Sequence, residues 1–514
     1  MKQVLNKIIF LEPKSPGSHV YSKWGLPRLG TVQLATILKN AGYDALVYVE
    51  DYKGIDFEDV LTADAVGIST ITSTAPRAYE MARQARLAGI PVFMGGPHVS
   101  FLPKEALKHC DFVLRGEAEE TIIPFIEALN KNSGFENVAG LSYNIGKIYH
   151  ENPLPTTCPE LDSLPDPDLT LIKGKGIEDK DLSVTPVITS RGCPFGCNFC
   201  SVTQMFGRRY RFRSTQRVIA ELKAKKPEWV FFYDDNFAAN KERTKELLRE
   251  MIKQKITPRW MSQVRIDIAW DEELLTLMKE SNCHYVYIGL ESANPKTLKA
   301  LNKGQTVEEI EKAIGIIKKA GIKTHGMFIF GADDDDRNTI KETLKFAKKI
   351  DLTTVQFLIL TPLPGTPVFN KMEAEGRLIS RDWGYYDAHH VVFKPKKISM
   401  FELQKETVRA MIRFYSIPRL FACLNRFDVI TMAVRSYGYR MSKKAKKATK
   451  GFQNHLKEMY QSTETGLQSV SQNFQLKARK TTDDLKEFFG SVQWQEFVNG
   501  LKNKKALKNK VGKI

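Results

Sequence analysis

Three cysteines lie within the stretch RGCPFGCNFCSV, residues 191–202, at the spacing C-x3-C-x2-C. The chain has seven cysteines in total, and the other four are scattered singly along it. A disulfide framework usually uses an even number of cysteines at regular spacings, and a structural zinc site usually closes with four ligands. Three thiolates on one short loop therefore favour a [4Fe-4S] cluster in which three irons have a cysteine ligand and the fourth has none.

A cluster held by three cysteines leaves one metal corner open. The same distinction separates catalytic zinc sites, which keep an open position, from structural sites with four protein ligands. The alternative interpretation is a zinc knuckle, which would need a fourth ligand from elsewhere in the chain. The loop follows the apolar stretch TPVIT, residues 185–189. We therefore expect it at the carboxyl end of a strand, where α/β barrels place their chemistry.

The composition predicts a soluble globular protein of two or three domains. The chain has 514 residues, of which 42% are hydrophobic and 26% are charged. It contains no run of about 18 apolar residues that would predict a membrane span. The low cysteine content and the lack of a charged-then-apolar leader predict a cytoplasmic protein in a reducing compartment. Such a compartment suits a thiolate-bound cluster.

The net charge of +18 is concentrated at the carboxyl end of the chain. Residues 441–514 contain 16 Lys and Arg against 6 Asp and Glu. Such an excess favours contact with nucleic acid, anionic lipid headgroups or an acidic partner protein, and it is equally typical of a solvated helix face. Nucleic acid is disfavoured because the segment lacks the interleaved aromatic residues on which bases stack. Two interpretations remain for the amphipathic helices before this tail: docking onto the barrel, which we favour, or peripheral membrane contact through the basic C-terminus.

Residues 1–135 predict a doubly wound, Rossmann-like α/β domain. Short apolar runs alternate there with helical patterns, which is typical of a parallel sheet with both faces covered. The predicted strands are KIIFLE, ALVYVE, DAVGIS, PVFMGG and DFVLRG. Helical patterns begin near Leu29, Pro76, Pro103 and Ala118. Residues 136–182 predict a hairpin, GLSYNIGKIYHENP, and a proline-rich linker.

Residues 183–400 predict a partial (β/α)6 barrel, and residues 401–514 predict a helical, basic C-terminal region. The six predicted strands are TPVIT, WVFFY, RWMSQV, HYVYIG, THGMFIF and TVQFLIL. The helical patterns between them lie near residues 215–225, 240–254, 271–281, 306–320 and 337–349. Because βαβ crossovers are right-handed, six such units curl into a barrel two units short of a closed (β/α)8 barrel. The acidic stretch GADDDDRNT, residues 331–339, predicts a solvated loop before a helix.

The cysteine motif resembles that of the radical S-adenosylmethionine (SAM) enzymes. In that family the loop is C-x3-C-x2-C with an aromatic residue before the last cysteine, which here is Phe199. The resemblance implies a [4Fe-4S] cluster bound by Cys193, Cys197 and Cys200. It also implies that the open iron chelates the amino and carboxylate groups of SAM, whose reductive cleavage gives a 5′-deoxyadenosyl radical.

The same resemblance implies SAM contacts after successive barrel strands, because polar side chains gather at the carboxyl edge of the sheet. Arg265 would meet the SAM carboxylate, for which its forked guanidinium is suited, and Gln263 would lie beside it. The other implied contacts are Phe199, Asp234, Asp235, Asn236, Glu291, Ser292 and Gly331. Taken singly, each polar residue is equally typical of a strand-end turn or a structural ion pair. Their order after successive strands favours the cofactor interpretation.

The first domain, followed by the hairpin and the barrel, resembles the cobalamin (B12)-binding-domain radical SAM enzymes. The resemblance rests on the segment from VGISTITSTAP through MGGPHVSF to DFVLRGEAEET. It implies cobalamin contacts at strand ends, where glycines let the backbone approach a bulky ligand closely. The implied contacts are Ser69, Thr70, Ile71, Gly95, Gly96 and His98. The acids of RGEAEET are expected in the first turn of the next helix.

The chain lacks the D-x-H-x-x-G motif through which other cobalamin domains bind cobalt. Histidine ligation of cobalt is therefore not predicted. For His98 the alternative is a turn histidine without a ligand role, and for the domain the alternative is one that no longer binds cobalamin.

With both cofactors, the resemblance implies radical methyl transfer to an unactivated carbon. The alternatives of the same class are radical cyclisation, adenosyl transfer and rearrangement. An alternative of another class is a cobalamin or redox sensor that binds a partner through its basic tail. We expect a small-molecule or lipid substrate, with an apolar membrane-derived molecule such as a hopanoid favoured, and an electron donor of the flavodoxin or ferredoxin type. We expect a cytoplasmic protein, and association with the inner face of the membrane is the alternative to docking of the C-terminal helices.

Overall fold

The computed structural model describes residues 5–15, 26–156, 158–174, 183–424 and 429–464. Within these residues the protein has two α/β domains, each built on a mainly parallel sheet, followed by a set of helices. Most of the predicted basic tail lies outside the described residues.

The first domain is built on an eight-stranded sheet. Its strands are β1 Lys7–Glu12, β2 Asp44–Val49, β3 Ala65–Ser69, β4 Val92–Gly95, β5 Phe112–Leu114, β6 Leu141–Ile145, β7 Ile148–Glu151 and β8 Ile172–Lys173. Its helices are α1 Leu29–Asn40, α2 Phe57–Val60, α3 Ala75–Leu87, α4 Pro97–Phe101, α5 Pro103–Ala106 and α6 Ile122–Lys131. The order across the sheet is β7-β6-β5-β4-β3-β1-β2-β8. All pairs are parallel except those made by β6 and β7, so the doubly wound α/β fold is confirmed.

Strand β1 shows why the apolar runs become central strands. Residues Ile8 to Leu11 are each at most 2% exposed. Successive side chains of a strand point to opposite faces, so Ile9 and Leu11 join the core on one face while Ile8 and Phe10 join the core on the other. A strand buried on both faces needs an uninterrupted apolar run, and KIIFLE supplies it.

The second domain is the six-stranded parallel sheet of a partial barrel. Its strands are β9 Thr185–Val187, β12 Trp229–Phe232, β13 Arg259–Val264, β14 Cys283–Glu291, β15 Lys323–Phe330 and β16 Thr354–Ile359. A short antiparallel pair, β10 Ser190–Arg191 and β11 Arg211–Phe212, follows β9. Its helices are α7 Val202–Phe206, α8 Thr215–Lys225, α9 Lys241–Lys253, α10 Glu272–Glu280, α11 Pro295–Ala300, α12 Val307–Lys319, α13 Arg337–Lys349 and α14 Pro367–Ala374. The strands follow chain order, with β9 and β16 at the two edges.

The hairpin expected between the domains is instead an edge of the first sheet. Strand β6 pairs antiparallel with β5, placing Phe112 opposite Tyr143. The ring of Phe135 packs between them, with its centroid 5.0 Å from that of Phe112 and 5.7 Å from that of Tyr143. Because β6 pairs with β5 and Phe135 packs against both strands, the hairpin is part of the first domain.

Two acidic stretches also differ from expectation. Helix α6 begins at Ile122, so the acids of RGEAEET precede its first turn and form ion pairs described below. The stretch GADDDDRNT is not a solvated loop: Asp335 is 1% exposed and accepts a hydrogen bond from the Thr297 hydroxyl at 2.6 Å. Asp333 pairs with Lys371 at 2.7 Å. Acidic side chains in a loop can therefore be structural when donors converge on them.

Four helices follow the barrel in the described part of the chain. They are α15 Met400–Phe414, α16 Ile417–Leu424, α17 Val429–Ala448 and α18 Lys450–Glu464. Of these, α15 and α17 pack on the last strand of the barrel. The Tyr415 hydroxyl donates to the Val355 carbonyl at 2.7 Å, and Arg435 donates to the Leu352 carbonyl at 2.8 Å. The helices therefore contact the barrel, as favoured from the sequence. No helix in the described part of the chain has the length and apolar content to cross a membrane.

Candidate active site

The cysteine loop follows β10, on the carboxyl side of β9. Cys197 is 9% exposed, and Cys193 and Cys200 are half-buried. Burial raises the pKa of Cys193, and it raises the pKa of Cys200 to about 12, because a thiolate is poorly solvated there. The three thiols lie within eight positions of one loop. A bound metal supplies the positive charge that buried thiolates lack.

The donor set fits a cluster rather than a single ion. Among the described residues, no group of three or more His, Cys, Asp or Glu side chains is arranged to hold one metal ion. A [4Fe-4S] cluster has a different requirement, since each thiolate binds its own iron. Three thiolates on one loop meet that requirement.

A segment after the unpredicted helix α11 supports the cysteine loop. The Asn302 side-chain amide donates to the Gly196 carbonyl at 2.7 Å. In return, the Asn198 side-chain amide donates to the Ala300 carbonyl at 2.6 Å. These reciprocal bonds fix the middle of the loop against the barrel.

The Asp234 side chain binds Thr189 and Ser190, which lead into the cysteine loop. Its side chain is fully buried. One carboxylate oxygen accepts from the backbone amides of Thr189 and Ser190 at 2.7 and 3.1 Å, and the other accepts from their hydroxyls at 2.5 and 2.8 Å. Arg243 donates to the Thr189 hydroxyl at 2.8 Å from the other side. Asp234 therefore has structural partners on both carboxylate oxygens, and the SAM contact that the family resemblance implied for it stays a prediction.

The two residues after Asp234 lie closer to the loop itself. Asp235 accepts a hydrogen bond from the Gly192 amide at 3.0 Å, one residue before the first cysteine. Burial raises the pKa of Asp235 to about 6. Asn236 is 3% exposed, and the Phe237 amide after it donates to the Gln263 carbonyl at 3.0 Å, joining the ends of β12 and β13.

Arg265 is the side chain whose surroundings best fit an anionic ligand. Its guanidinium lies 3.7 Å from the centroid of the Phe195 ring, inside the cysteine loop. One terminal nitrogen donates to the Lys303 carbonyl at 2.8 Å. Its Nε is buried and has no hydrogen-bond partner within the described residues. A buried donor of this kind is costly without an acceptor, which suits the expected contact with the SAM carboxylate.

Glu291 and Ser292 lie at the end of β14, as expected. The Glu291 carboxylate pairs with the Lys303 ammonium at 2.7 Å, and both side chains are less than one-tenth exposed. The backbone of Glu291 has a φ of +62°, which re-aims the chain at the strand end. Ser292 is fully buried, and its hydroxyl accepts from the Asn294 amide at 3.0 Å. Both residues have structural partners, and their SAM contacts stay a prediction.

Gly331 directly follows β15 and has a φ of +107°. Its amide donates to Asp335 at 2.9 Å. A Cβ added there would lie 2.9 Å from the side chains of Leu403 and Phe393. Packing of helix α15 therefore accounts for this glycine, and its role towards SAM stays a prediction.

The predicted cobalamin contacts gather at the ends of β3 and β4. Ser69 pairs with Gly95 in the sheet, and the Thr70 hydroxyl donates to the Gly95 carbonyl at 2.9 Å. Gly96 has a φ of +96°, and a Cβ added there would overlap the Thr70 carbonyl and lie 3.0 Å from its amide nitrogen. Only glycine lets these two strand ends approach so closely. The resulting cradle of backbone and small side chains fits a bulky ligand such as cobalamin.

His98 lies in α4 and is 1% exposed. Its Nε2 lies 3.2 Å from the Tyr79 hydroxyl and 3.6 Å from Glu105. Its ring packs edge-on against Trp383 at 5.1 Å, and the Trp383 indole donates to Glu105 at 2.6 Å. The surroundings of His98 are those of an interface residue, and a cobalamin contact for it stays a prediction.

A cavity of about 260 Å³ lies between the two domains and the segment after the barrel. The first domain contributes Ile71, Thr72, Ser73, Pro97 and Phe101; the barrel contributes Ser201, Thr361, Leu363 and Pro364; and the following segment contributes Tyr386, Asp387 and Ala388. Ser201 directly follows the last cysteine. One cavity is therefore bordered by Ile71, a predicted cobalamin contact, and by the residue that follows the cysteine loop.

A larger cavity of about 600 Å³ lies on the outside of the barrel, where helices α10 and α12 meet. It is lined by Trp270, Lys279 and Lys319 among others. Trp270 lies in the segment after β13, and Lys279 and Lys319 lie in the two helices. None of the residues that line this cavity is a predicted cofactor contact.

Sequence analysis did not find the residues that join the domains. Trp383 and Glu105 are 278 positions apart in the chain. Gly365, with a φ of +83°, packs directly beneath the Phe101 ring, which a Cβ would overlap. A Gly-Thr-Pro turn and a lone tryptophan carry no local signal for such contacts. Covariation among homologues would be the signal that finds them.

Comparison with known proteins agrees with this arrangement. Residues 187–347 match the model of the radical SAM superfamily, and residues 23–124 match that of the B12 binding domain. The chain is 34% identical over 410 residues to an uncharacterized methyltransferase of Pyrococcus horikoshii, covering 77% of this chain and 89% of that protein. It is 28% identical over 418 residues to the bacteriochlorophyllide d C-12(1)-methyltransferase of Chlorobaculum tepidum, covering 80% and 87%.

Three further similarities extend this picture. The chain is 27% identical over 406 residues to the hopanoid C-3 methylase of Methylococcus capsulatus, covering 76% of each chain. Its fold is similar to that of OxsB, a cobalamin-dependent SAM radical enzyme solved with aqua-cobalamin and SAM, with a TM-score of 0.63 at 16% identity, covering 97% and 84%. It is also similar to that of TsrM, a radical SAM methyltransferase from Kitasatospora setae, with a TM-score of 0.60 at 19% identity, covering 72% and 76%.

The matched domains confirm the cofactors implied by the residues: a [4Fe-4S] cluster, SAM and cobalamin. The chain is thus a radical SAM enzyme rather than a non-catalytic sensor. It belongs to the cobalamin-binding-domain radical SAM family, the family of the Pyrococcus horikoshii methyltransferase.

Proposed function

We propose that this chain methylates an unactivated carbon of a large apolar molecule, using the cluster, SAM and cobalamin together. The observation that carries the proposal is the cavity shared by the two domains. It is bordered by Ser201, which follows the last cysteine, and by Ile71, a predicted cobalamin contact. A substrate held there would face both cofactors.

The reaction balances with two SAM molecules and two electrons for each methyl group. One SAM would supply the methyl group, which cobalamin would carry, and one-electron cleavage of the other at the cluster would supply the means to remove a hydrogen atom from the substrate carbon. The products are the methylated substrate, S-adenosylhomocysteine, methionine and 5′-deoxyadenosine. A flavodoxin- or ferredoxin-type donor would supply both electrons.

The chain's own residues position these components. Cys193, Cys197 and Cys200 would hold the cluster, and Arg265 would bind the SAM carboxylate through its buried, unpartnered Nε. Asp235 would lie beside the bound SAM, since it contacts the amide before the first cysteine. Asn236 and Gln263, at neighbouring strand ends, would complete the polar side of this site.

Two observations support an apolar substrate. About half of the residues that line the cavity are apolar, among them Ile71, Phe101 and Leu363, and the named relatives act on bacteriochlorophyllide or hopanoid molecules, which are large and mostly apolar. Apolar walls would bury such a ligand, and the polar groups beside them would fix its orientation. The substrate would be a lipid or another polycyclic metabolite.

The test is mass spectrometry of lipid and pigment extracts from cells with and without this protein. The proposal predicts a species one methylene unit heavier that needs the protein. A product of unchanged carbon count but fewer hydrogens would indicate cyclisation, and a 5′-deoxyadenosyl adduct would indicate adenosyl transfer. Either outcome would overturn methyl transfer.

We also propose that helix α17 rests on the inner face of an anionic membrane, from which the substrate would be drawn. Helix α17 contains six Lys and Arg and no carboxylate. Along one face, Val434 and Tyr437 are 37% and 41% exposed, and the exposed cations Arg440, Lys444 and Lys447 follow. Exposed apolar residues beside cations are typical of interfacial helices.

Co-sedimentation with vesicles tests this contact. We expect binding to vesicles that contain phosphatidylglycerol and loss of binding after Arg440, Lys444 and Lys447 are replaced by Gln. The matched control replaces Lys255, Lys319 and Lys341, which are exposed elsewhere. Equal binding by the two triple variants would contradict a specific role for α17.

A further inference from the structure

A buried cluster of four charges joins the first domain to the strand that enters the cysteine loop. Arg191 contacts Glu117 at 2.7 Å with one terminal nitrogen and Glu119 at 2.6 Å with the other. Arg211 contacts the second oxygen of Glu117 at 2.5 Å. The four side chains are 7–18% exposed. Breaking a buried ion pair leaves a charge without a partner, which is strongly unfavourable. Such clusters therefore hold their partners in one geometry.

One end of this ion cluster lies at the iron-binding loop. Arg191 is two residues before Cys193, and strand β10 holds it opposite Arg211 of β11. The intervening Gly192 has a φ of +83°, and a Cβ there would overlap the Arg209 carbonyl. The backbone between Arg191 and Cys193 is therefore closely packed, so that the position of Arg191 affects the position of the first cysteine.

The other end of the ion cluster lies next to the predicted cobalamin contacts after β4. Glu117 and Glu119 follow β5, directly after Gly116, whose amide donates to the Ser100 hydroxyl of α4 at 3.1 Å. Helix α4 starts immediately after Gly96. The loop that carries the two acids is thus bonded to the segment that would meet cobalamin.

We propose that Arg191, Glu117 and Glu119 are positioning residues that couple the two cofactor sites, so that each cofactor favours binding of the other. The proposal rests on the proposed function because it needs both cofactors. The forked guanidinium gives one terminal nitrogen to each carboxylate, a planar geometry that the compact ammonium of a shorter lysine does not reproduce. Coupling of this kind must act equally in both directions.

The experiment measures the affinity of full-length protein for hydroxocobalamin from its visible absorbance. Each protein is titrated with its reconstituted cluster and again after its iron has been removed. In the wild-type protein we expect the cluster to tighten binding by about fivefold or more, which is the lower end of typical coupling between sites. In the double variant Glu117→Gln/Glu119→Gln we expect the ratio to fall to about one, while iron content after reconstitution is unchanged.

Two further variants make the result specific. Arg191→Lys keeps the charge but not the forked geometry, and we expect it to give an intermediate ratio. Asp166→Asn is the matched control, because Asp166 also bridges two barrel arginines, Arg213 at 2.6 Å and Arg217 at 3.1 Å, without touching the strand before the cysteines. It should keep the wild-type ratio.

A ratio of about one in the wild-type protein would contradict the coupling, and so would a wild-type ratio in the double variant. If the double variant does not fold, Arg191→Lys decides, since an unchanged ratio there would also contradict it. Absence of any hydroxocobalamin binding, with or without the cluster, would overturn the proposed function as well, so the two failures are distinguishable.

Discussion

The carboxylate of Asp234 accepts hydrogen bonds from both the backbone amide and the hydroxyl of Thr189, at 2.7 and 2.5 Å. With the equivalent pair from Ser190, four buried donors converge on one side chain. Each unsatisfied buried donor costs about 1–3 kcal/mol. The segment that leads into the cysteine loop therefore depends on Asp234.

Replacing Asp234 by Ala should lower the free energy of unfolding of the iron-free protein by at least about 3 kcal/mol, because four buried donors lose their acceptor. Replacement by Asn should cost less, since one oxygen is kept and the two hydroxyls can turn to accept. Denaturant unfolding measures both. A cost below about 1 kcal/mol for Asp234→Ala would show that the loop stem does not depend on this carboxylate.

Replacing Gly96 by Ala should abolish cobalamin binding, because the new Cβ would overlap the Thr70 carbonyl. The matched control is Gly89→Ala in the same domain, which also has a positive φ, of +77°, but has nothing within 4 Å of the added carbon. The control should lose only about 1 kcal/mol of stability, because alanine is strained at a positive φ. Titration with hydroxocobalamin measures both variants, and equal affinity in the two would contradict the cradle.

Replacing Gly365 by Ala should open the cavity between the domains, because a Cβ there would overlap the Phe101 ring. Gly376→Ala is the control, with a φ of +62° and open space around it. We expect Gly365→Ala to raise KM for substrate with little change in SAM cleavage in the absence of substrate. Equal KM values for the two variants would show that Phe101 does not shape the substrate site.

Asp335 should make stability depend on pH. Burial raises its pKa to about 6 and outweighs the hydrogen bonds that it accepts. A carboxyl with a raised pKa in the folded state keeps its proton while the unfolded chain loses it, so stability falls as pH rises from about 4 to about 6 and the loss is complete above that.

The comparison with Asp335→Asn isolates this group. Between pH 5 and pH 7.5 the wild-type protein should lose about 1.4 kcal/mol of unfolding free energy relative to the variant. Chemical denaturation at the two pH values gives the difference. A constant difference between wild type and variant across this range would place the pKa of Asp335 at its ordinary value.

Local patterns in the sequence predicted most of the strands and helices. Runs such as KIIFLE and helices such as Arg337–Lys349 depend on residues that are neighbours in the chain, and the structure has them at the expected places. The beginning of α6 was predicted too early, because the acids before it pair with Arg191 and Arg211 from the other domain. No local pattern contains that information.

The same limit applies to the site. The cysteine spacing identified the metal-binding loop because all three residues lie within eight positions. Asp234 was placed at the correct strand end, but its hydrogen bonds to Thr189 could not be inferred, since they depend on how β9 and β12 lie side by side. The contacts of Trp383 and Phe101 across the domains likewise depend on packing between distant segments.

The most direct test of the account is electron paramagnetic resonance of the reconstituted, dithionite-reduced protein before and after SAM is added. We predict that SAM changes the signal of the reduced cluster and that 5′-deoxyadenosine forms. Cys197→Ala should abolish both effects, and Cys158→Ala, which alters a cysteine outside the loop, should abolish neither. A protein that holds only zinc, or a cluster whose signal is the same with and without SAM, would contradict the open iron on which the mechanism depends.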